Sequence, residues 1–156
     1  MELISYEQFG KLRLKQFVPA NKEIFDSDGH EWMNGWWINE GIGITGISRH
    51  EDTPDEAGGL EVLFSELSAS ATVAMLDAIR LPLHPGMTFE NLRSVLGEPQ
   101  QTEFFPTIPD RKHYKFTIGS EHPYHVSCTI HDTDGLIGIA VIRNDVLSKI
   151  KAAPDP

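Results

Sequence analysis

The sequence predicts an α+β fold: an antiparallel β-sheet with two helices packed on one face, β-rich in its N-terminal half and arranged as a helix-helix-β-β-β unit in its C-terminal half. Three observations predict it. Strand-sized apolar runs separated by Asp- and Gly-bearing turns occupy both ends of the chain, two helical stripes lie between them, and the composition is that of one globular domain. At 156 residues, 40% hydrophobic and 23% charged, the chain is long enough to bury roughly 68–70% of its unfolded surface without a disulfide framework or a structural metal. Residues 1–150 are expected to form the single domain, and the polar, proline-punctuated tail 151–156, "KAAPDP", to fray.

In chain order, "KLRLKQF" (11–17) alternates Leu12 and Leu14 against Lys11, Arg13 and Lys15, a strand pattern. "EIFDSDGHEWMNGWWI" (23–38) predicts a strand, a turn at Asp26–Gly29 and a second strand, and "GIGITGI" (41–47) a strand bent by its glycines. The segment Ser48–Gly59, "SRHEDTPDEAGG", gathers charge, Pro54 and two glycines as a loop between strands. "LEVLFSEL" (60–67) fits helical spacing, but its β-rich neighbourhood favours a strand. A helix is expected over "SATVAMLDAIRL" (70–81) with Ser70 as cap. The next helix, 88–96, carries the fullest set of signals: Thr88 as N-cap, a Met87–Leu92 staple, and Gly97 at its end with Pro99 beyond. Glu90 and Arg93 both suit the helix dipole. Three strands follow, "HYKFTI" (113–118), "YHVSCTI" (124–130) and "LIGIAVI" (136–142), joined by glycine-bearing turns into an antiparallel meander.

The string "LHPGMTFENLRSVLGEPQ" (83–100), with Pro85, Gly86, Met87, Thr88, Leu92, Leu96, Gly97 and Pro99, followed by the meander ending in "DGLIGIAVI" (134–142), resembles the small outer-membrane lipoprotein domain of the SmpA/OmlA type. A similar helix-helix-β-β-β unit is repeated in the β-lactamase inhibitor protein. The resemblance spans roughly residues 81–145. It implies helices on one face of an antiparallel sheet whose other face is free to bind a partner. The chain departs from the lipoproteins in having acidic Glu2 where a signal peptide carries positive charge, and no lipid-bearing cysteine near its start. It departs from the inhibitor in holding one "PGMT…LG" segment rather than two. Bacterial immunity proteins, which neutralise toxins inside the producing cell, share this small, acidic, signal-less character.

Net charge is −10, from 23 acidic and 13 basic residues. That disfavours nucleic acid, whose phosphates are met by Lys and Arg, and favours encounter with a basic protein partner. No apolar stretch approaches the ~20 residues that span a bilayer, so a cytoplasmic location without membrane association is expected. The lone Cys128 sits in an apolar strand and reads as a buried, inert thiol.

His122, His125, Cys128 and His131 recur every third residue and are zinc-ligand types. On a strand, however, only His125 and His131 share a face, about 20 Å apart, so neither a metal nor another cofactor is expected there. The Asp26–Gly29 and Asp132–Gly135 segments lack the further ligands of a calcium loop and read as turns. The loop with His50, Glu51, Asp52, Asp55 and Glu56 offers acid/base groups or a solvated charge run. In "EWMNGWWI", Trp32 and Trp36 fall on one strand face and Trp37 on the other, so one face is exposed, covered by a helix, or met by a partner. The function expected from these readings is that of an intracellular bacterial protein-binding protein, of inhibitor or immunity type. Its partner-binding residues are Trp32, Trp36, Trp37, Asp52, Asp55 and Glu56. No catalytic residue is assigned. The alternatives are a small metal-dependent hydrolase on the His-rich meander or acidic loop, and an accessory domain forming a homodimer through its tryptophan face.

Overall fold

Period-two alternation of apolar and polar side chains makes the C-terminal segments extended, and glycine turns fold them back on one another. In the computed structural model, which describes residues 1–17, 35–38, 45–50, 53 and 55–152, these segments join a seven-stranded sheet. Its strands are β1 (Gly35–Ile38), β2 (Thr45–Arg49), β3 (Ala57–Leu63), β4 (Gln101–Phe104), β5 (Arg111–Ile118), β6 (Tyr124–His131) and β7 (Gly135–Arg143). The spatial order is β1-β2-β3-β7-β6-β5-β4, and every neighbouring pair is antiparallel. With helices α1 (Tyr6–Gly10), α2 (Ala69–Ala78), α3 (Phe89–Leu96) and α4 (Asn144–Ala152), the class is α+β, as expected. After β3, α2 and α3 carry the chain to the far edge of the sheet. It then meanders back until β7 pairs with β3.

The pleat sorts the two faces. One row runs Leu60, Val141, Val126, Phe116 across β3, β7, β6 and β5, and the next runs Val62, Ile139, Cys128, Tyr114. All eight are buried in a single core with Phe9, Leu14, Met75, Ile79 and Leu92 from the helical segments. The alternating rows, Glu61-Ala140-Ser127-Lys115-Gln101 and Leu63-Gly138-Thr129-His113-Glu103, face the other way. The start of α4 reaches that face, where Leu147 lines a hollow together with Ile142 and His125.

The helix over 88–96 forms as its signals require. Thr88 Oγ1 accepts from the Asn91 amide at 3.1 Å while Asn91 Oδ1 accepts from the Thr88 amide at 3.4 Å, and Met87 and Leu92 are both buried. Gly97 ends it at φ +83, ψ −164, donating to the Arg93 carbonyl at 2.8 Å. The positive φ is the expected one, but the ψ places Gly97 in an extended mirror region that is essentially glycine's alone. Gly97→Ala is expected to cost about 1 kcal/mol in urea unfolding through backbone strain alone, because a Cβ there would meet nothing within 4 Å.

Elsewhere tertiary packing overrides local pattern. "KLRLKQF" is not a strand: a capping box between Ser5 and Gln8 starts α1, and Leu14–Gln16 is a 3-10 turn. Leu12 and Leu14 are nonetheless buried, so the alternation marked burial rather than extension. Ser68, not Ser70, caps α2, accepting from the Ala71 amide at 3.1 Å. Strand β3 begins at Ala57, inside the expected loop, and gives way at Phe64 to a 3-10 turn. Strand β4 and helix α4 are additional to the expected elements. The expected strand and turn over 23–34, the segment 41–44 and the end of the tail, 153–156, lie outside the described residues. No described helix is long and apolar enough to cross a membrane.

Candidate functional site

The outward rows of the sheet are small in the middle and large at the margins. Gly138, Ala140 and Ser127 make a low floor on β7 and β6, while Glu61 on β3 and His113 on β5 stand on either side. Gly138 is required there, since a Cβ would lie 2.9 Å from the Val62 carbonyl of the neighbouring strand. The result is a cavity of about 170 Å³ whose lining includes Glu61, Leu63, His113, Ser127, Thr129 and Ala140. A second hollow of about 360 Å³ continues from it past Ser127 and Ala140 towards Gln101, Lys115, His125 and Leu147.

The polar groups around these hollows have distinct commitments. His113 Nδ1 lies 2.9 Å from Thr129 Oγ1, and burial pushes its imidazole pKa down against a smaller opposing pull from Glu103. Lys115 is ion-paired to Glu103. His125 Nε2 lies 2.7 Å from Asn144 Oδ1, and His131 Nε2 3.1 Å from Asp110 Oδ2. Glu61 differs. It stands in the open, yet the protein around its carboxyl displaces enough water to raise its pKa, and it has no hydrogen-bond or ion-pair partner among the described residues. Ser127 sits directly across from Lys115, but with the ammonium held by Glu103 nothing there activates the hydroxyl as a nucleophile.

Beside the cavity the surface turns apolar. Phe104, Phe105 and Ile108 are 49%, 42% and 39% exposed, three large hydrophobic side chains within five positions. Phe104 ends the edge strand β4 and the other two follow it, where Pro106 and Pro109 keep "FFPTIP" from continuing the sheet. The Phe105 ring meets His113 edge-on with centroids 5.4 Å apart, so Phe105 adjoins the cavity, whereas Phe104 is in the row of Lys112, Ile130 and Leu136 on the other side of the sheet. Sequence reasoning passed over these residues and Glu61. The available signal was the adjacent phenylalanines between prolines, an apolar run that cannot bury itself in a strand.

The residues singled out from sequence are scattered. Trp36 and Trp37 lie on β1 at the opposite edge of the sheet, in register with Ile47 and Gly46, so Trp36 falls in a core row and Trp37 in the row of Glu61. Trp32, Glu51 and Asp52 lie outside the described residues. Asp55 is exposed, and its carbonyl accepts from the Arg13 guanidinium. Glu56 is exposed as well, but its Oε2 accepts from Thr53 Oγ1 at 3.0 Å and lies 3.6 Å from Arg143 Nη1. His50 is buried, with Nε2 3.3 Å from Asp145 Oδ2. Much of the described acidic loop therefore serves an internal network centred on Arg143.

The histidine series is also dispersed. His125 and His131 are at opposite ends of β6 with different partners, and Cys128 points into the core. Among the described residues no group of three or more His, Cys, Asp or Glu side chains is placed to hold a metal. Burial pushes the Cys128 thiol up to about 12. The folded protein is therefore expected to resist thiol-specific labelling at neutral pH and to react only when denatured, which a timed labelling assay with and without urea checks.

No protein-family model, no curated protein and no solved structure matches the chain.

Proposed function

We propose that this chain is a protein-binding protein of inhibitor or immunity type, and that it docks its partner on the outward sheet face and the adjoining Phe104–Ile108 segment. The observation that carries the reading is exposed Phe105 at the rim of a concave, polar-lined surface, in a segment that also exposes Phe104 and Ile108. Exposed apolar patches of this kind mark interaction sites, and aromatic anchors carry much of the energy where they bury. The helix-helix-β-β-β resemblance agrees, since it leaves the same face of the sheet for a partner. A net charge of −10 suits a basic partner in the cytoplasm, through faster encounter rather than slower release. The metal-dependent hydrolase reading draws no support from the dispersed histidines.

The test is capture from native cells with the full chain as bait, followed by kinetics with the captured protein. Phe105→Ala is expected to weaken binding by about 2 kcal/mol, chiefly through a faster off-rate, while raised salt slows the on-rate. Equal affinities for wild type and Phe105→Ala, or self-association as the only interaction found, would remove the proposal.

A further inference from the structure

The cavity at Glu61 holds a carboxylate that has no partner among the described residues. Each of the other titratable groups that line the two hollows is engaged within the chain, Lys115 by Glu103, His113 by Thr129 and His125 by Asn144. Glu61 alone among them has no described partner, and its surroundings oppose its charge. Ser127 Oγ, two strands away across β7, likewise makes no hydrogen bond among the described residues, and Thr129 Oγ1 retains acceptor capacity beyond its contact with His113. The gap between the strands of Glu61 and Ser127 is about 10 Å at ~4.8 Å per strand, and Gly138 and Ala140 keep its floor low. At about 170 Å³ the space falls below the ~300–1,000 Å³ of small-molecule sites and is nearer the scale of one long side chain.

From this juxtaposition we infer that the cavity is the seat for an arginine side chain of the protein partner, held between the Glu61 carboxylate and the Ser127 and Thr129 hydroxyls. The inference rests on the docking reading above and specifies the partner's chemistry. Acceptors spread around a cavity suit a guanidinium, whose five N–H donors are fixed in a fork, better than an ammonium with three donors at one point. Pairing also removes the cost of an uncompensated carboxylate, which the free protein carries and the complex does not. Phe105, against His113 at the rim, would then pack on the segment that delivers the arginine.

The probe is N-acetyl-arginine methylamide, added to the isotope-labelled full chain and followed by amide chemical shifts. Saturable shifts are expected at Ser127, Thr129, Gly138 and Ala140. Glu61→Gln should weaken the binding about tenfold or more, as loss of a charged hydrogen-bond partner does. Ala140→Leu, which fills the floor but keeps the carboxylate, should abolish it. The lysine analogue should bind several-fold more weakly, and the norleucine analogue should not bind. The probe reads the cavity without the partner, and capture of the partner by wild type against Phe105→Ala reads the docking surface, so failure of the one and failure of the other are told apart. Absence of saturable shifts, shifts that persist in Glu61→Gln, or a response to zinc or magnesium chloride but not to the arginine probe would overturn the inference.

Discussion

Replacing Arg143 by methionine is expected to lower stability by about 3 kcal/mol, near the lower end for breaking a buried ion pair. Arg143 is only 6% exposed at the end of β7. Its Nε and Nη2 donate to the two oxygens of Asp145 at 3.0 and 2.7 Å, its Nη1 donates to the Ala57 carbonyl at 3.3 Å, and its guanidinium lies 4.6 Å from the Tyr6 ring centroid. It thus ties α1, the start of β3 and the start of α4 together. Methionine keeps much of the apolar contact and removes every donor, leaving Asp145 and Glu56 without their cation. The lower figure applies because the Asp145 side chain retains 40% exposure, so water takes over part of its solvation.

The pH dependence has a definite sign. Burial pushes the Asp145 carboxyl up, and the Arg143 hydrogen bonds overcome that push and hold it below its ordinary 3.8. A depressed carboxyl contributes stability above 3.8 that is lost as pH falls through the folded value. In Arg143→Met the upward push loses its main opponent and is resisted only by the His50 and Val146 contacts, so protonation of the carboxylate relieves part of the cost. Urea unfolding should therefore show the gap between wild type and variant narrowing from neutral pH to about pH 3. Adding Asp145→Asn to the variant should cost less than the two single effects combined. A constant gap across pH, with additive effects, would mean that Arg143 acts through its alkyl packing.

How much of this was legible depends on whether the governing interaction is local. The α3 helix was readable because its cap, stripe and stop lie within residues 87–99 and act on one another. The meander was readable because short glycine turns join alternating runs. The first 17 residues were not, since the alternation of Leu12 and Leu14 reports that both reach the core but not by what backbone path. The acidic loop looked solvated because its cation, Arg143, is about 90 positions away and closed upon it only in the fold. Trp36 and Trp37 were rightly placed on a strand, but the strand's position at one sheet edge is a matter of topology. The candidate site was missed for a related reason. Glu61 gains meaning only when β7 and β6 bring Ala140 and Ser127 alongside it, a pairing that spans more than 60 positions.

The loop before α3 and the start of β7 meet at one junction, and Gly135 is its tightest point. The loop before α3 lies against the start of β7: the Gly86 amide donates to the Leu136 carbonyl at 2.9 Å, and the Leu136 amide donates to the Met87 carbonyl at 2.8 Å. Both glycines have positive φ, +85 at Gly86 and +72 at Gly135. Their surroundings differ. A Cβ on Gly86 would come no closer than 3.9 Å to the Asp134 carbonyl, whereas a Cβ on Gly135 would run into the Gly86 and Met87 backbone. Gly86→Ala should therefore cost only the strain of a positive φ, about 1 kcal/mol. Gly135→Ala should cost about 3 kcal/mol, because the two backbones must also separate and weaken both hydrogen bonds, each worth about 1 kcal/mol. Amide exchange should follow, with the Gly86 and Leu136 amides losing protection in Gly135→Ala and keeping most of it in Gly86→Ala. If urea unfolding gives the two variants equal stability, close approach at this junction is not what fixes glycine at 135, and the positive φ alone accounts for it.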